Sequence, residues 1–171
     1  MAIYTKTGDR GATKVFDKKT GQLTKIAKDS CKIAVIGAID ELNSFLGIVG
    51  NLTEIQGNLF TINSILAGSN LRFSKSKTKK LEKQIDKWEG TLPVQKNFIF
   101  YGGSQVSSLI FYARALCRRA ERSLVTAHRT QFTVHDSILI YINRLSDYLF
   151  MLGRSENFKA KIKEKFWKTS K

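Results

Sequence analysis

The residue types best suited to binding an anion occur in a short segment near the N-terminus. From Thr5 to Lys14 the chain reads Thr-Lys-Thr-Gly-Asp-Arg-Gly-Ala-Thr-Lys, which combines hydroxyls, glycines and three cations. Glycine lets backbone amides approach a phosphate closely, and hydroxyl and cationic side chains can then bind its oxygens. The segment lacks the GxxxxGK spacing of a Walker A loop. The residues alone leave an anion-binding loop and an ordinary turn as alternatives, and Lys25 is either a further cation of the site or a surface lysine.

A second group of charged residues has helical spacing. Its four members fall at i, i+4, i+7 and i+8 and share one stripe beside an apolar one. They are Arg114, Arg118, Glu121 and Arg122. Arg119 points elsewhere. On an exposed helix such residues form pairs worth about 0.2–0.5 kcal/mol, whereas beside a core they indicate a buried ionic network or a ligand site. Asn143 and Asp147, one turn apart on a later helix, are placed to face this group.

Carboxylates are concentrated at Asp40 and Glu41, which the sequence predicts to begin the first helix. The positive end of the helix dipole stabilises carboxylates at such a position, so capping is the alternative to a role in a site. No catalytic triad and no zinc-ligand spacing is present, because His128 and His135 have no nucleophile motif nearby and the two cysteines are far apart. The residue set therefore favours positioning an anion over acid–base turnover.

These residues are carried by a chain whose periodicity is helical from Ile33 onward. Apolar residues recur at intervals of three and four in five stretches, and a single proline suits long helices. The five stripes include, in order, Leu42, Leu59, Leu81, Leu116 and Leu145. Ser104 is a candidate N-cap for the fourth helix. We expect an all-α, antiparallel five-helix bundle over residues 31–157, preceded by an arm over 1–30 whose residue types favour an ordered functional segment over a frayed tail, and followed by a basic tail over 158–171.

The chain of 171 residues carries a formal net charge of +15, much of it in Lys75–Lys87 and Lys159–Lys171. A basic surface attracts nucleic acid, anionic membrane and nucleotide phosphates alike. The lysines of Lys75–Lys87 lack the interleaved aromatics on which single-stranded nucleic acid would stack. No apolar run approaches the roughly 18 residues of a membrane span, and the first residues lack the apolar region of a secretion signal. We therefore expect a cytoplasmic protein that does not enter a membrane.

Four segments, taken in order, resemble motifs of the PduO-type ATP:cob(I)alamin adenosyltransferases. A Thr-Gly-Asp-x-Gly-x-Thr loop corresponds to Thr7–Thr13, and a Gly-x-x-Asp-Glu-Leu-Asn-Ser segment corresponds to Gly37–Ser44. An Ala-Arg-x-x-x-Arg-Arg-Ala-Glu-Arg helix corresponds to Ala113–Arg122, and a Tyr-x-Asn-Arg-Leu-Ser-Asp helix corresponds to Tyr141–Asp147. The resemblance extends from about residue 3 to residue 157. Four motifs in the family's order are far more specific than any one of them.

The resemblance implies transfer of the 5′-deoxyadenosyl group of ATP, accompanied by Mg²⁺, to the cobalt of cob(I)alamin. It also implies a five-helix bundle that forms a homotrimer with active sites between subunits. The implied ATP contacts are Thr5, Lys6, Thr7, Gly8, Asp9, Gly11, Thr13, Lys14, Lys25, Arg118, Glu121, Arg122 and Asn143. The implied cobalamin-binding residues are Phe98, Asp40 and Arg114, and with Arg118 they make up the implied catalytic set. In this family Asp40 and Arg114 would form a salt bridge between subunits, and Phe98 would close the lower face of the corrin.

Two segments depart from the family pattern. Phe100–Gly103 reads Phe-Tyr-Gly-Gly where the family usually has Leu-Pro-Gly-Gly, and Ala34–Gly37 reads Ala-Val-Ile-Gly where many members have Glu-Ala-Tyr-Gly. These changes concern substrate affinity and corrin seating more than the type of reaction. For the basic tail we expect a helix end near the corrin entrance, with Phe166 and Trp167 packing there.

Two other classes of function are alternatives to this enzyme. One is a non-catalytic cobalamin carrier or sensor, and the other is a basic helical module that binds nucleic acid or an acidic protein. The intact arginine helix and the nucleotide loop argue against both, so nucleic acid is not an expected partner. Candidate partners of the enzyme are a flavin reductase and an adenosylcobalamin-dependent enzyme.

Overall fold

The computed structural model describes residues 4, 6–18, 20–130 and 132–168. Within these residues the chain forms five α-helices preceded by a two-stranded antiparallel sheet. The elements are β1 (Ala12–Asp17), β2 (Gln22–Ala27), α1 (Cys31–Val49), α2 (Thr53–Leu66), α3 (Ser76–Glu89), α4 (Gln105–Thr130) and α5 (Asp136–Lys159). In this part of the chain no helix is long and apolar enough to cross a membrane.

The core is built from the apolar stripes that the sequence predicts. Leu42, Leu59 and Leu145 are completely buried, and Leu81 and Leu116 are nearly so. Burying a leucine side chain contributes about 1.5–3 kcal/mol, which makes these stripes the main determinant of helix packing. Helix α4 packs against both α1 and α5, while α2 packs against α1 and α3 against α5. The prediction of five helices is confirmed.

Helix α1 begins well before Asp40 and Glu41. It starts at Cys31, where the Ser30 hydroxyl accepts a hydrogen bond from the backbone N–H of Ile33 at 3.4 Å and acts as the N-cap. Asp40 and Glu41 therefore lie in the middle of the helix, and the prediction that they begin it is wrong. Capping does not explain these two carboxylates.

The wrong boundary has a local cause in Gly37. Glycine lowers helix stability by about 1 kcal/mol relative to alanine, so Gly37 weakens the helical pattern just before Asp40. The neighbouring side chains of Val35 and Ile39 are almost completely buried, and their packing keeps this turn helical.

The start of α4 is fixed by the end of α5. The Ser104 hydroxyl accepts a hydrogen bond from the N–H of Ser107 at 3.1 Å, which confirms Ser104 as the N-cap. Asn157 on α5 accepts from the N–H of Ser104 at 3.0 Å and donates to the carbonyl of Gly102 at 2.8 Å. A Cβ on Gly103 would lie 2.1 Å from Oδ1 of Asn157, so glycine is required for this close approach.

The N-terminal arm contains a β-hairpin, which the all-α prediction omits. Strands β1 and β2 pair with Lys14 opposite Lys25, and the N–H of Phe16 donates to the carbonyl of Ala67 at 3.0 Å. Gly68 has φ 108°, and a Cβ there would lie 2.0 Å from the carbonyl oxygen of Phe16. The hairpin is thus attached to the end of α2. Each strand has only six residues, too few for the sequence pattern to distinguish a strand from a loop.

Beyond α5 the tail takes an extended path beside the segment that contains Phe98. The N–H of Phe100 donates to the carbonyl of Lys165 at 2.9 Å, and the N–H of Trp167 donates to the carbonyl of Phe98 at 2.7 Å. The tail is therefore not the helix end that the sequence analysis expects, because α5 stops at Lys159. It does lie next to Phe98.

Candidate active site

The centre of the site is a hydrogen bond between the two longest helices. Asn143 on α5 donates from Nδ2 to Oε1 of Glu121 on α4 at 2.7 Å. The carboxylate is half-buried and the amide is exposed, so the pair lies at the surface of the α4–α5 contact. The predicted meeting of Asn143 with the charged stripe of α4 is confirmed.

Arg118 and Arg122 lie on α4 on either side of Glu121 and are both exposed. Across the described ranges neither guanidinium has a hydrogen bond or an ion pair with a protein group. The stripe is therefore not a buried ionic network, and its interpretation as a ligand site stays a prediction. The two arginines are exposed and one helical turn apart, and the carboxylate beside them is hydrogen-bonded to an amide. They form a positive surface suited to a phosphate group.

Asp147, one turn further along α5, does not join this group. Its carboxylate accepts from Nη1 of Arg144 at 2.6 Å, and Nε of Arg144 also donates to Glu82 on α3 at 3.2 Å. Arg119 points away, as its position in the helix predicts, and pairs with Glu41 on α1. These contacts are ion pairs of the bundle surface.

The turn before β1 carries the predicted N-terminal contacts. Lys6 and Gly11 have positive φ values of 56° and 73°, which the left-handed region allows most easily for glycine. A Cβ on Gly8 would lie 3.3 Å from Nζ of Lys28, so this lysine lies directly against the glycine. The turn exposes Lys6, Thr7 and Asp9. Thr5 lies outside the described residues.

The strands of the hairpin place two lysines side by side. Lys14 and Lys25 are directly opposite each other in the register, and both are exposed. Like charges at such a position destabilise a sheet, and an anion between them would remove the repulsion. Thr13 pairs with Ile26 and is half-buried, and successive residues of a strand point to opposite faces. The hairpin therefore does not bring Thr13 and Lys14 to the same face.

A cleft of about 870 Å³ lies between the hairpin and the ends of the helices. Besides Lys25 it is lined by three cations that the sequence analysis misses, Lys18, Lys32 and Arg72. Burial lowers the pKa of Lys32, whose ammonium lies 5.8 Å from the centre of the Phe132 ring. These cations belong to separate elements, so no spacing in the sequence could have grouped them.

Aromatic side chains surround Arg114, which lies one turn before Arg118 on α4. Its Nη1 donates to the hydroxyl of Tyr101 at 3.1 Å, and its guanidinium carbon lies 5.2 Å from the Tyr101 ring centre and 5.5 Å from that of Phe150. Tyr101 stands at the proline of the family's Leu-Pro-Gly-Gly pattern, so this chain gains a partner for Arg114 there. Phe98 is 74% exposed. An aromatic ring this exposed is available to pack on a flat apolar ligand.

Asp40 is exposed on α1. Its carboxylate forms no ion pair or hydrogen bond with Arg114 or with any other described residue. A carboxylate without a partner in the middle of a helix is available to a second chain.

Comparison with known proteins gives a consistent result. The family model described as cobalamin adenosyltransferase matches residues 3–156. A corrinoid adenosyltransferase of Bacillus subtilis is 35% identical over 180 residues, which cover 95% of this chain and 90% of that protein. The corrinoid adenosyltransferase PduO of Citrobacter freundii is 36% identical over 94% of this chain, but the chain spans only about half of that relative (51%).

Solved structures agree with the sequence comparisons. A variant of a PduO-type ATP:corrinoid adenosyltransferase from Lactobacillus reuteri, complexed with cobalamin and ATP, superimposes with a TM-score of 0.90. The two sequences are 32% identical, and the match covers 98% of this chain and all of the other.

Proposed function

The chain belongs to the cobalamin adenosyltransferase family, and from this premise we infer that it transfers the 5′-deoxyadenosyl group of ATP to the cobalt of cob(I)alamin. The observation that carries the inference is the group on α4 and α5. There, Arg118 and Arg122 have no side-chain partner among the described residues and flank the hydrogen-bonded Glu121 and Asn143. This is the arrangement needed to hold a polyphosphate by its charge.

The chemistry needs positioning more than proton transfer. Cobalt(I) is a strong nucleophile, and its electron pair forms the new bond to C5′ of ATP. The C5′–O bond breaks, and its electrons leave with triphosphate. The protein therefore has to hold C5′ over cobalt and to stabilise the leaving group, which are effects of proximity and electrostatics. A site with cations and no catalytic triad fits this reaction.

We assign the triphosphate to cations on both parts of the site. Arg118 and Arg122 would bind it from α4, and Lys14 and Lys25 from the hairpin, with the turn at Lys6–Gly11 supplying backbone amides. Because the cations in one chain are divided between the hairpin and the outward face of α4, a site between two subunits would combine them.

Mg²⁺ would be held together with ATP. Among the described residues no group of three or more His, Cys, Asp or Glu side chains could hold a metal alone. Asn143 occupies one oxygen of Glu121 and leaves the other available. One carboxylate together with phosphate oxygens is a common way to bind Mg²⁺, so these residues fit the ion. When bound it supplies positive charge that stabilises the departing triphosphate.

Phe98 and Arg114 would face the corrin. A ring at the lower face of the corrin excludes water and an axial ligand from cobalt, which favours the reduction to cobalt(I). The exposure of Phe98 in the free chain is consistent with this role. Arg114, stacked on Tyr101, would be the residue that links this face to a neighbouring subunit.

The proposed assembly is a homotrimer in which Asp40 of one subunit pairs with Arg114 of the next. On the same two helices Ile48 and Tyr112 are 67% and 55% exposed. Exposed apolar side chains beside complementary charges are typical of an interface. A cytoplasmic location, a flavin reductase as electron donor and an adenosylcobalamin-dependent enzyme as recipient complete the proposal.

The test is an anaerobic assay with purified protein, ATP, Mg²⁺ and chemically reduced cobalamin. We expect the visible band of cob(I)alamin to convert to that of a light-sensitive alkylcobalamin, with a requirement for both ATP and protein. Binding of ATP or cobalamin without conversion would instead support a carrier. Binding of neither would support the basic module, for which nucleic acid is the next ligand to try.

A further inference from the structure

Arg154, near the end of α5, joins three segments of the chain although it is only 5% exposed. Its Nε and Nη2 donate to the carboxylate of Glu164 in the tail at 2.6 and 3.0 Å. Nη2 also donates at 2.8 Å to the carbonyl of Pro93, in the stretch that leads to Phe98. A planar guanidinium that binds a carboxylate through two bonds fixes its orientation as well as its distance. The Arg154 side chain therefore holds in place both the segment that leads to Phe98 and the tail beside that segment.

The tail reaches Phe98 through a short antiparallel ladder. Ile99 and Phe166 form its bridge, and the side chain of Ile99 is buried. In this register Phe98 stands opposite Trp167, and alternate residues of a strand point to opposite faces. Phe98 and Trp167 are 74% and 49% exposed, so the ladder is anchored on one face and presents aromatic rings on the other.

We propose that Arg154 and Glu164 are positioning residues for corrinoid binding, which act through the tail on Phe98. The inference rests on the proposed function, because the corrin-facing role of Phe98 belongs to it. By clamping the tail, the ion pair orders the Phe98 segment before the corrinoid arrives. Less conformational freedom is then lost on binding.

A purely structural role explains this ion pair poorly. A buried pair of charges often stabilises a fold no better than apolar side chains of the same volume. What it adds is one defined arrangement, since the two hydrogen bonds to Glu164 and the one to Pro93 are satisfied together in a single position of the tail.

The experiment compares Glu164→Gln and Arg154→Lys with the wild-type chain. Glu164→Gln keeps the size of the side chain and removes its charge, and Arg154→Lys keeps the charge and removes the fork. Glu156→Gln is the matched control, because Glu156 pairs with Lys159 on α5 itself at 2.7 Å. The measurements are amide hydrogen exchange at Phe100, the KM values for cob(I)alamin and ATP, and the EPR spectrum of bound cob(II)alamin.

We expect exchange at Phe100 to accelerate by about tenfold in both clamp variants, because its N–H bonds to the tail and local opening sets this rate. The KM for cob(I)alamin should rise at least about fivefold and that for ATP should stay within about twofold, since only corrinoid binding depends on the ion pair between Arg154 and Glu164. The EPR spectrum should shift toward axially ligated cobalt. The control should match the wild type in every measurement.

An unchanged KM for cob(I)alamin in a folded Glu164→Gln variant would overturn the proposal, whatever the exchange rate. An equal rise of both KM values together with a lower melting temperature would overturn it too, since that is a structural effect. If the variants do not fold, deletion of residues 160–171 is judged by the same criteria. If the wild type binds cob(II)alamin but transfers nothing, the proposed function fails, and exchange at Phe100 with the affinity for cob(II)alamin still decides the role of the clamp.

Discussion

Asn143 donates a hydrogen bond of 2.7 Å to Glu121 across the contact between α5 and α4. Arg118 and Arg122 flank this carboxylate, yet Glu121 forms an ion pair with neither. A carboxylate bound by an amide keeps most of its charge, and the two arginines keep theirs for a ligand. The hydrogen bond between Asn143 and Glu121 thus links the two helices, while the charges of the two arginines stay available to bind an anion.

Replacement of Arg118 by alanine should reduce adenosyl transfer strongly. Removal of a preorganised group that stabilises developing charge costs about 10²–10³ in kcat. Arg118 is exposed and its guanidinium has no partner in the described part of the chain, so the fold should be unaffected. The measurement is the anaerobic spectral assay, with sedimentation to monitor assembly. Arg119→Ala is the control, because Arg119 is adjacent in sequence but pairs with Glu41. Normal turnover in Arg118→Ala would show that the phosphates bind elsewhere.

Lys25→Gln should weaken ATP binding without destabilising the protein. The loss of one charge-assisted contact is worth about 1.5–3 kcal/mol, so KM for ATP should rise by roughly tenfold or more. The melting temperature of the ligand-free protein should stay equal or increase, because the repulsion from Lys14 across the ladder disappears.

The control for the hairpin is Lys83→Gln, which removes one charge from the exposed face of α3. It should leave KM for ATP unchanged. A lower melting temperature in Lys25→Gln together with normal ATP binding would assign this lysine to the fold and not to the site.

The helices could be predicted from the sequence and the hairpin could not, for one physical reason. Helical stripes such as Leu42 with Leu46 repeat over several turns, and burial confirms them. The strands are six residues long, and they are defined by pairing and by attachment to Ala67, which is distant in the chain. Short elements held by long-range contacts leave little periodicity in a sequence.

The site shows the same division. Glu121 and Asn143 were predictable as neighbours, because each has a regular position on its own helix. Other features depend on how separate elements pack together. They are the face of the hairpin on which Thr13 lies, the position of the cations Lys32 and Arg72, and the pairing of the tail with Phe98. The stripe on α4 also predicts which residues share a face, but it does not distinguish an exposed face from a buried one.

Phe98→Ala should impair the corrinoid step and leave stability unchanged. Phe98 is 74% exposed, and substitutions at such positions usually change stability by no more than about 0.5 kcal/mol. Turnover with cob(II)alamin and a reductant should fall by at least about tenfold, or 1.4 kcal/mol in barrier. Leu71→Ala, an exposed apolar residue at the rim of the hairpin cleft, is the control. Equal activity in the two variants would exclude Phe98 from the corrin site.

Asp40 and Arg114 should rescue each other when their charges are exchanged. Asp40→Arg and Arg114→Asp should each lower the fraction of protein that assembles as a trimer and the rate of adenosyl transfer. Each variant leaves like charges facing across the interface. The double variant should recover assembly in sedimentation experiments, although it loses the contact of Arg114 with Tyr101. Failure of the double variant to assemble better than either single variant would show that these residues do not pair between subunits.

The thiol of Cys117 should report on the integrity of the α4–α5 contact. Its Sγ donates to the carbonyl of Ile142 at 3.3 Å, and burial, helped by the nearby carboxylate of Glu121, raises the pKa of Cys117 far above its usual range. Thiolate is the reactive form, so a raised pKa keeps the group protonated and unreactive as pH increases through the range near 8.5 in which free thiols ionise. Iodoacetamide at pH 7–9.5 should therefore modify half-buried Cys31 and spare Cys117.

Mass spectrometry of the labelled peptides checks this expectation, and unfolding in urea supplies the control in which both cysteines react. Asn143→Ala removes the hydrogen bond to Glu121 one helical turn from the thiol. If that bond holds the two helices together locally, Cys117 should become modified faster in this variant while the protein remains folded. Modification of Cys117 in the wild type at the rate of Cys31 would contradict the packing of α4 against α5 from which the candidate site is built.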